Sequence, residues 1–282
     1  MAIKILIDSA SDMSKKEAEE LGVNFISMEI RFGNEEYLDG ENLLPREFYE
    51  KLIESDALPQ TSQINPFRWE EEFTKLTADG SEVIVITISS KLSGTYESAR
   101  TAAEKFNGKV HVFDSLSAAI GERLLCYHAL DLIKKGLSVT EIISELENKK
   151  RKLNIMAMVD TLEYLKKGGR ISAAVAVAGT LLSIKPVVAL VDGEVKLVGK
   201  AMGSKKANNL VNSLVQKAGG INFDMPFGVI WSGLDDTVLN KYVRDSSHLW
   251  ADFTSKVPSY IIGSTIGAHI GPGAIGVAFF EK

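Results

Sequence analysis

The run Ser89-Ser90-Lys91-Leu92-Ser93-Gly94-Thr95-Tyr96 follows a β-branched stretch, Val83 to Ile88, and precedes a helical pattern. Hydroxyl side chains and a glycine at such a junction leave free N–H groups at the positive end of a helix, which is chemistry for holding a carboxylate or phosphate. Thr61-Ser62-Gln63, ahead of Asn65-Pro66, adds two hydroxyls in a segment read as turn-rich. Asp8-Ser9-Ala10-Ser11-Asp12 and Asp114-Ser115 each follow a strand pattern, where the loops of a parallel sheet converge on a ligand crevice. Turn and cap formation compete as explanations for all of these residues, and a serine that caps a helix still has a lone pair or proton for a ligand.

Of the four histidines, His111, His128 and His248 fall inside predicted regular elements, whereas His269 lies in the glycine-rich stretch Gly263 to Gly276. Glycines let the backbone approach a ligand closely, and an imidazole there can bond an anion; a turn histidine without a ligand is the competing reading. None of the four has partners at metal-ligand spacing, so no metal is expected. Gly271, Gly273 and Gly276 have dinucleotide-fingerprint spacing, but only Val277 to Lys282 follow and they read as a strand, which excludes a nicotinamide or flavin enzyme on that motif. Gly193 to Lys200 is one residue too long for a P-loop, and Ala201 stands where a magnesium-binding hydroxyl is needed. Lys166-Lys167-Gly168-Gly169-Arg170 is a cationic tip at a helix end, and with Lys200, Lys205 and Lys206 it predicts a basic face suited to an acidic partner. Lysines that merely answer the helix dipole are the alternative.

The elements that must position these groups follow from patterning. Ile3 to Ile7, Val83 to Ile88 and Val110 to Phe113 read as strands, separated by helices that Ser14 with Glu17 and Ser138 with Glu141 open as capping boxes. Tyr96, Ala99, Ala103 and Phe106 mark the expected inner face of the helix after the hydroxyl run. This alternation predicts a parallel sheet with crossover helices. After Asn148 to Lys152 the style changes to a hairpin at Asp192-Gly193 and strands at Phe227 to Trp231, Val257 to Ile262 and Gly276 to Phe280. The expected fold class is therefore α/β in two domains, a parallel-sheet domain over residues 1–152 and a mixed-sheet domain over residues 153–282. With 282 residues, each could bury a core of its own.

Composition narrows the function. Basic and acidic side chains number 32 and 37, for a net charge of -5, so attraction to nucleic acid is not expected. No secretory leader is read at the start, and a cytoplasmic location is expected. Cys126, the only cysteine, sits in an apolar run and reads as a core thiol. Ala173 to Val191 is apolar but interrupted by Gly179, Ser183, Lys185 and Pro186, so it reads as a small-residue helix over Ala173 to Leu182 and then a strand, not as a membrane span.

Taken in order, Asp8-Ser9-Ala10-Ser11-Asp12, Thr61-Ser62-Gln63, the Ser89 to Tyr96 run, Leu162 to Ser172 and Gly267-Ala268-His269-Ile270-Gly271-Pro272-Gly273 resemble the DegV family over nearly the whole chain. The resemblance implies a protein that binds one long-chain fatty acid between its two domains, as the FakB subunits of bacterial fatty acid kinase do. It implies Thr61, Ser93 and His269 as carboxylate ligands, with Ser62, Gly94 and Thr95 nearby; the small-residue segment Ala173 to Leu182 then reads equally as a wall of the tail's tunnel or as ordinary core packing. Arg170 and Lys167 would dock a separate kinase, which supplies ATP and magnesium and forms the acyl phosphate; this chain would have no cofactor and no catalytic residue. Transient contact with a membrane surface would load the acid. Many members carry arginine in the segment corresponding to Lys200 to Lys206, where this chain has Met202 and Ser204. The alternatives are a lipid carrier or sensor without a kinase, and a serine hydrolase built on Ser93, His269 and Asp114, against which the absence of a Gly-x-Ser-x-Gly elbow argues.

Overall fold

The computed structural model describes residues 2–55, 57–172, 183–253 and 255–282. The Ala173 to Leu182 segment, read as tunnel wall or core packing, lies outside the described residues.

Strands β1 (Ile3–Asp8), β2 (Asn24–Ile26), β6 (Glu82–Thr87) and β7 (Val110–Asp114) form an all-parallel sheet in the order β2-β1-β6-β7. Ile5 lies opposite Ile84, and Val85 opposite Val112. A parallel sheet is covered on both faces, which is why its two central strands carry continuous buried apolar runs, Ile5 to Ile7 on β1 and Val83 to Ile86 on β6. The second sheet runs β10-β9-β8-β13-β11-β12, from β8 (Leu153–Met158), β9 (Ile184–Val191), β10 (Glu194–Met202), β11 (Phe227–Trp231), β12 (Ser259–Ile261) and β13 (Ile275–Phe280). Its pairs are antiparallel except β11 with β12. The fold is thus α/β, with a parallel sheet in the N-terminal part and a mixed sheet in the C-terminal part. Both predicted capping boxes are present, and the hairpin turns at Asp192-Gly193, both in the left-handed region.

A third sheet departs from the sequence reading. Val23 to Ile30 is not one extended segment: it divides at Ser27-Met28 between β2 and β3 (Glu29–Phe32), and β3 pairs with β4 (Glu35–Leu38) and β5 (Gln60–Ser62) in an antiparallel sheet. Thr61 and Ser62 therefore lie on a strand rather than in a turn. A three-residue strand of Gln, Thr and Ser carries no apolar alternation by which sequence could reveal it. The helix after the hydroxyl run, Thr95–Ala103, buries Thr95, Ser98, Ala99 and Ala102; of the expected inner face, Ala103 and Phe106 pack half-buried against the same cluster, while Tyr96 lies outside it.

One apolar cluster joins the two larger sheets. It runs from Ile5, Ile84 and Ile86 through Ile120, Leu124 and Leu125 to Ile155, Val188 and Phe280, so helix α5 (Ile120–Lys134) packs between them. Cys126 lies in this cluster, and burial pushes its thiol up to about 12, which makes it an unreactive core residue. No helix among the described residues is long and apolar enough to cross a membrane.

Candidate functional site

The order β2-β1-β6-β7 places a topological switch between β1 and β6, and the hydroxyl run leaves β6 at that point. Its backbone is held from three directions. Asp8, at the end of β1, accepts from the Ala10 N–H and from the Ile88 N–H, each at 2.9 Å. Asp114, at the end of β7, accepts from the Ser90 N–H at 3.1 Å, and the Ser89 hydroxyl donates to the Gly193 carbonyl at 2.8 Å. The loop is thereby tied to the hairpin of the second sheet. Burial pushes the Asp8 carboxyl up to about 7, against the pull of its two backbone bonds.

Beside this loop lies a cavity of about 300 Å³, within the size range of small-molecule sites. Its polar lining includes Thr61, Ser62, Gln63, Ser93, Gly94, Arg170 and His269. Most of the rest is aliphatic, with Ile155, Val188, Leu190 and Ile230 from the mixed sheet, Ile88 from the loop that leaves β6 and Ile266 from the short helix beside them. Ser62, Gln63 and Gly94 are exposed and form the mouth, whereas Ile155, Val188 and Ile230 are buried.

His269 is brought there by a helix, not by a loop as the sequence suggested. It stands in the last turn of the helix Ser264–Ile270, and its Nε2 lies 2.9 Å from the Thr61 hydroxyl. The glycines around it serve close packing rather than ligand approach: a side chain on Gly267 would strike Phe48 and Tyr49, and one on Gly271 would strike Tyr164. The buried His269 Nδ1 has no partner among the described residues, and an added Cβ on Gly168 would come 2.2 Å from it. Burial, aided by the Arg170 charge, lowers the imidazole to about 4, so it is neutral at pH 7. Gly94, not Ser93, holds the N-cap position, yet the Ser93 hydroxyl accepts from the Thr95 N–H at 3.3 Å and meets the Thr95 hydroxyl at 2.9 Å, so it serves the helix start from one residue further out. Thr95 is buried and touches the site only through Ser93.

Arg170 is the residue whose place sequence reasoning missed. It lines the cavity half-buried, donating from Nε to the Leu92 carbonyl at 3.1 Å and from Nη1 to the Gly168 carbonyl at 2.6 Å. Desolvation lowers its guanidinium somewhat. Lys167 points outward, exposed, with the Glu163 carboxylate 3.9 Å away. The Gly168-Gly169 pair carried a signal: Gly169 takes a φ of 73°, and Gly168 leaves room for the imidazole. Gln63, also overlooked, packs its side-chain amide against Gly94 at the mouth.

The hydrolase arrangement is not formed. His269 Nε2 faces Thr61 rather than Ser93, and Asp114 Oδ1 is engaged with the Ser90 and Leu116 N–H groups. Among the described residues, no base therefore reaches the Ser93 hydroxyl. Among the described residues, no group of three or more His, Cys, Asp or Glu side chains could hold a metal ion.

The sequence profile of the DegV family matches residues 2–282. The chain belongs to the DegV family. A DegV domain-containing protein of Clostridium perfringens is 34% identical, covering 98% of this chain and 96% of that protein. Among solved structures, the fatty-acid-binding DegV family protein of Thermus thermophilus has a TM-score of 0.87 at 31% identity, with both chains fully covered. A stearic acid-binding protein of Eubacterium ventriosum reaches 0.87 at 26% identity, over 100% of this chain and 99% of that one. The structural neighbours of this DegV chain are thus proteins that bind fatty acids.

Proposed function

We propose that this DegV protein binds one long-chain fatty acid, with the tail among the aliphatic residues and the carboxylate at Thr61, Ser93 and His269. The observation that carries this is the division of a single cavity into a hydroxyl, imidazole and guanidinium end and an aliphatic remainder. A carboxylate taken from water costs several kcal/mol unless it is hydrogen-bonded, and two hydroxyls and an imidazole N–H supply those bonds. Arg170 places its positive charge beside them, and the acid's entry favours the protonated imidazole by the same Coulombic logic.

At the mouth, Ser62, Gln63 and Gly94 leave one face of the carboxylate open to a phosphoryl donor. We infer that a separate ATP-dependent kinase approaches there in the cytoplasm, with its own magnesium, and that this chain's part is to present the carboxylate in line and keep the tail out of water. Lys167 and the flank of Arg170 would meet that partner. The reading of a carrier or sensor without a kinase is favoured by Met202, 66% exposed in the segment where many members have arginine. Denaturing the purified protein, extracting it with organic solvent and identifying released lipid by mass spectrometry tests the ligand. Near-stoichiometric fatty acid is expected; repeatedly empty protein that also fails to take up added fatty acid overturns the proposal. Incubating the loaded protein with a fatty acid kinase subunit and labelled ATP separates the two readings: label on the acyl group supports presentation, and none supports the carrier.

A further inference from the structure

The helix Ser264–Ile270 that carries His269 begins with three consecutive N–H groups that find no acceptor within the helix. All three are taken by carboxylates from the first 40 residues of the chain. Asp12 Oδ1 accepts from the Gly263 N–H at 2.8 Å, Asp39 Oδ1 from the Ser264 N–H at 3.1 Å and Asp39 Oδ2 from the Thr265 N–H at 3.2 Å. Asp12 is 7% exposed and Asp39 2%. Buried carboxylates are costly, so their bonds to this one helix start are strongly coupled to its position.

Asp39 immediately follows β4, and Thr61 lies on β5; both strands pair with β3. The same small sheet therefore grips the helix at its start through Asp39 and at its end through the contact of Thr61 with His269. Between these grips, Phe48 and Tyr49 of helix α2 (Pro45–Glu54) lie against Gly267, and the Tyr49 hydroxyl donates to the Ile262 carbonyl. The helix is thus held at both ends and along one flank.

We propose that Asp39 is a positioning residue for the head of the cavity: by fixing the first turn of the Ser264–Ile270 helix to the sheet that bears Thr61, it sets the reach of the His269 imidazole. An asparagine at 39 would keep one acceptor and turn an amide NH2 toward an N–H, so the helix start must shift or rotate. A shift of a few tenths of an ångström at Ser264 passes along a helix this short to His269, whose Nδ1 has no hydrogen-bond partner among the described residues. The consequence for a fatty acid rests on the proposed function, but the geometry does not.

The experiment compares the full-length wild type with D39N, with S264P, and with V215A as a core truncation remote from the site. Proline at the first helical position is tolerated while deleting the N–H that Asp39 Oδ1 accepts, so S264P tests the same contact if D39N fails to fold. Long-range 1H–15N spectra read the imidazoles of the four histidines, with His269 assigned by its loss in H269Q. Binding of cis-parinaric acid, a fluorescent fatty acid, reads the cavity. D39N and S264P should move the His269 ring resonances and weaken binding about tenfold, the worth of one good hydrogen bond. V215A should lower the melting temperature and leave both unchanged. Wild-type ring resonances and affinity in D39N and S264P, whatever their melting temperatures, overturn the assignment. Should the wild type itself not bind the probe, the proposed ligand fails and the ring resonances alone decide the role of Asp39.

Discussion

At the scale of single residues, His269 is held by what is missing beneath it. Gly168 has no side chain, and the imidazole Nδ1 occupies the space that a Cβ there would take, 2.2 Å from its ideal position. Replacing Gly168 by alanine should push the ring off the Thr61 hydroxyl and cost about 1 to 3 kcal/mol, as overpacking of a tight site does. A denaturant titration gives that loss, and a weaker grip on fatty acid should accompany it; an alanine variant with wild-type stability and affinity would refute the packing argument. The same ring has a pH signature. Its folded value, lowered to about 4, lies below the value of about 6.5 in an unfolded chain. Between these values the unfolded state binds the extra proton, so stability falls as pH drops through that window and levels off below it. Relative to H269Q, the unliganded wild type should lose stability from about pH 6.5 to about pH 4; parallel stability curves for the two would contradict a buried neutral imidazole. Thr61, Ser93 and His269 were each legible as a hydroxyl or imidazole candidate, and only the resemblance to the DegV family joined them into one set. Arg170 was legible as a cation but not as part of the cavity wall, because its place depends on the carbonyls of Leu92 and Gly168, 78 and 2 residues away in the chain.

Elements with a strong period or a local signature were readable, and those whose reason lies in a distant partner were not. The continuous strands of the parallel sheet, the two capping boxes and the Asp192-Gly193 turn carry their instructions within a few residues. The short strand Gln60–Ser62 exists because β3 offers it a ladder, and the helix Ser264–Ile270 because Asp12 and Asp39 satisfy its first turn. The connection from β7 to α5 adds a strained residue of the same kind. Ala119 lines the cavity with φ 55° and ψ -145°, a region that alanine rarely adopts, and its N–H donates to the Ala10 carbonyl at 2.7 Å. That bond ties the loop to the end of β1 and so keeps Ala119 in place. Glycine accepts such a backbone without a Cβ penalty, so Ala119→Gly should raise stability by about 1 kcal/mol despite its freer unfolded chain. Equilibrium unfolding in urea measures it, and a destabilised glycine variant would mean that the methyl group, not the backbone, is what the site requires.

For the whole molecule, each large sheet carries an apolar cluster of its own on one face, and helix α5 and its neighbours form a further cluster that reaches both sheets. The cavity is lined by the mixed sheet and by the loops that follow β6 and β7 of the parallel one, so a tail lying in it would add to that shared interior. Units that bury a common core cannot open separately without exposing it, at about 25 cal/mol for each Å² of apolar surface uncovered. One cooperative transition is therefore the expected behaviour. The three tryptophans allow a direct test. Trp69 belongs to the cluster on one face of the parallel sheet, whereas Trp231 and Trp250 pack with the second sheet. In a variant keeping only Trp69, fluorescence follows the parallel sheet; in a variant keeping only Trp231 and Trp250, it follows the mixed one. Each is referred to circular dichroism of the same variant, which removes the differences in stability that the substitutions themselves cause. The fluorescence and dichroism midpoints should coincide in both variants, and saturating fatty acid should raise all of them together, since a ligand bound only to the folded state stabilises whatever unfolds with its site. Separate midpoints, with fatty acid moving only one, would show that α5 belongs to one unit alone and that the cavity closes by docking of two independently stable halves.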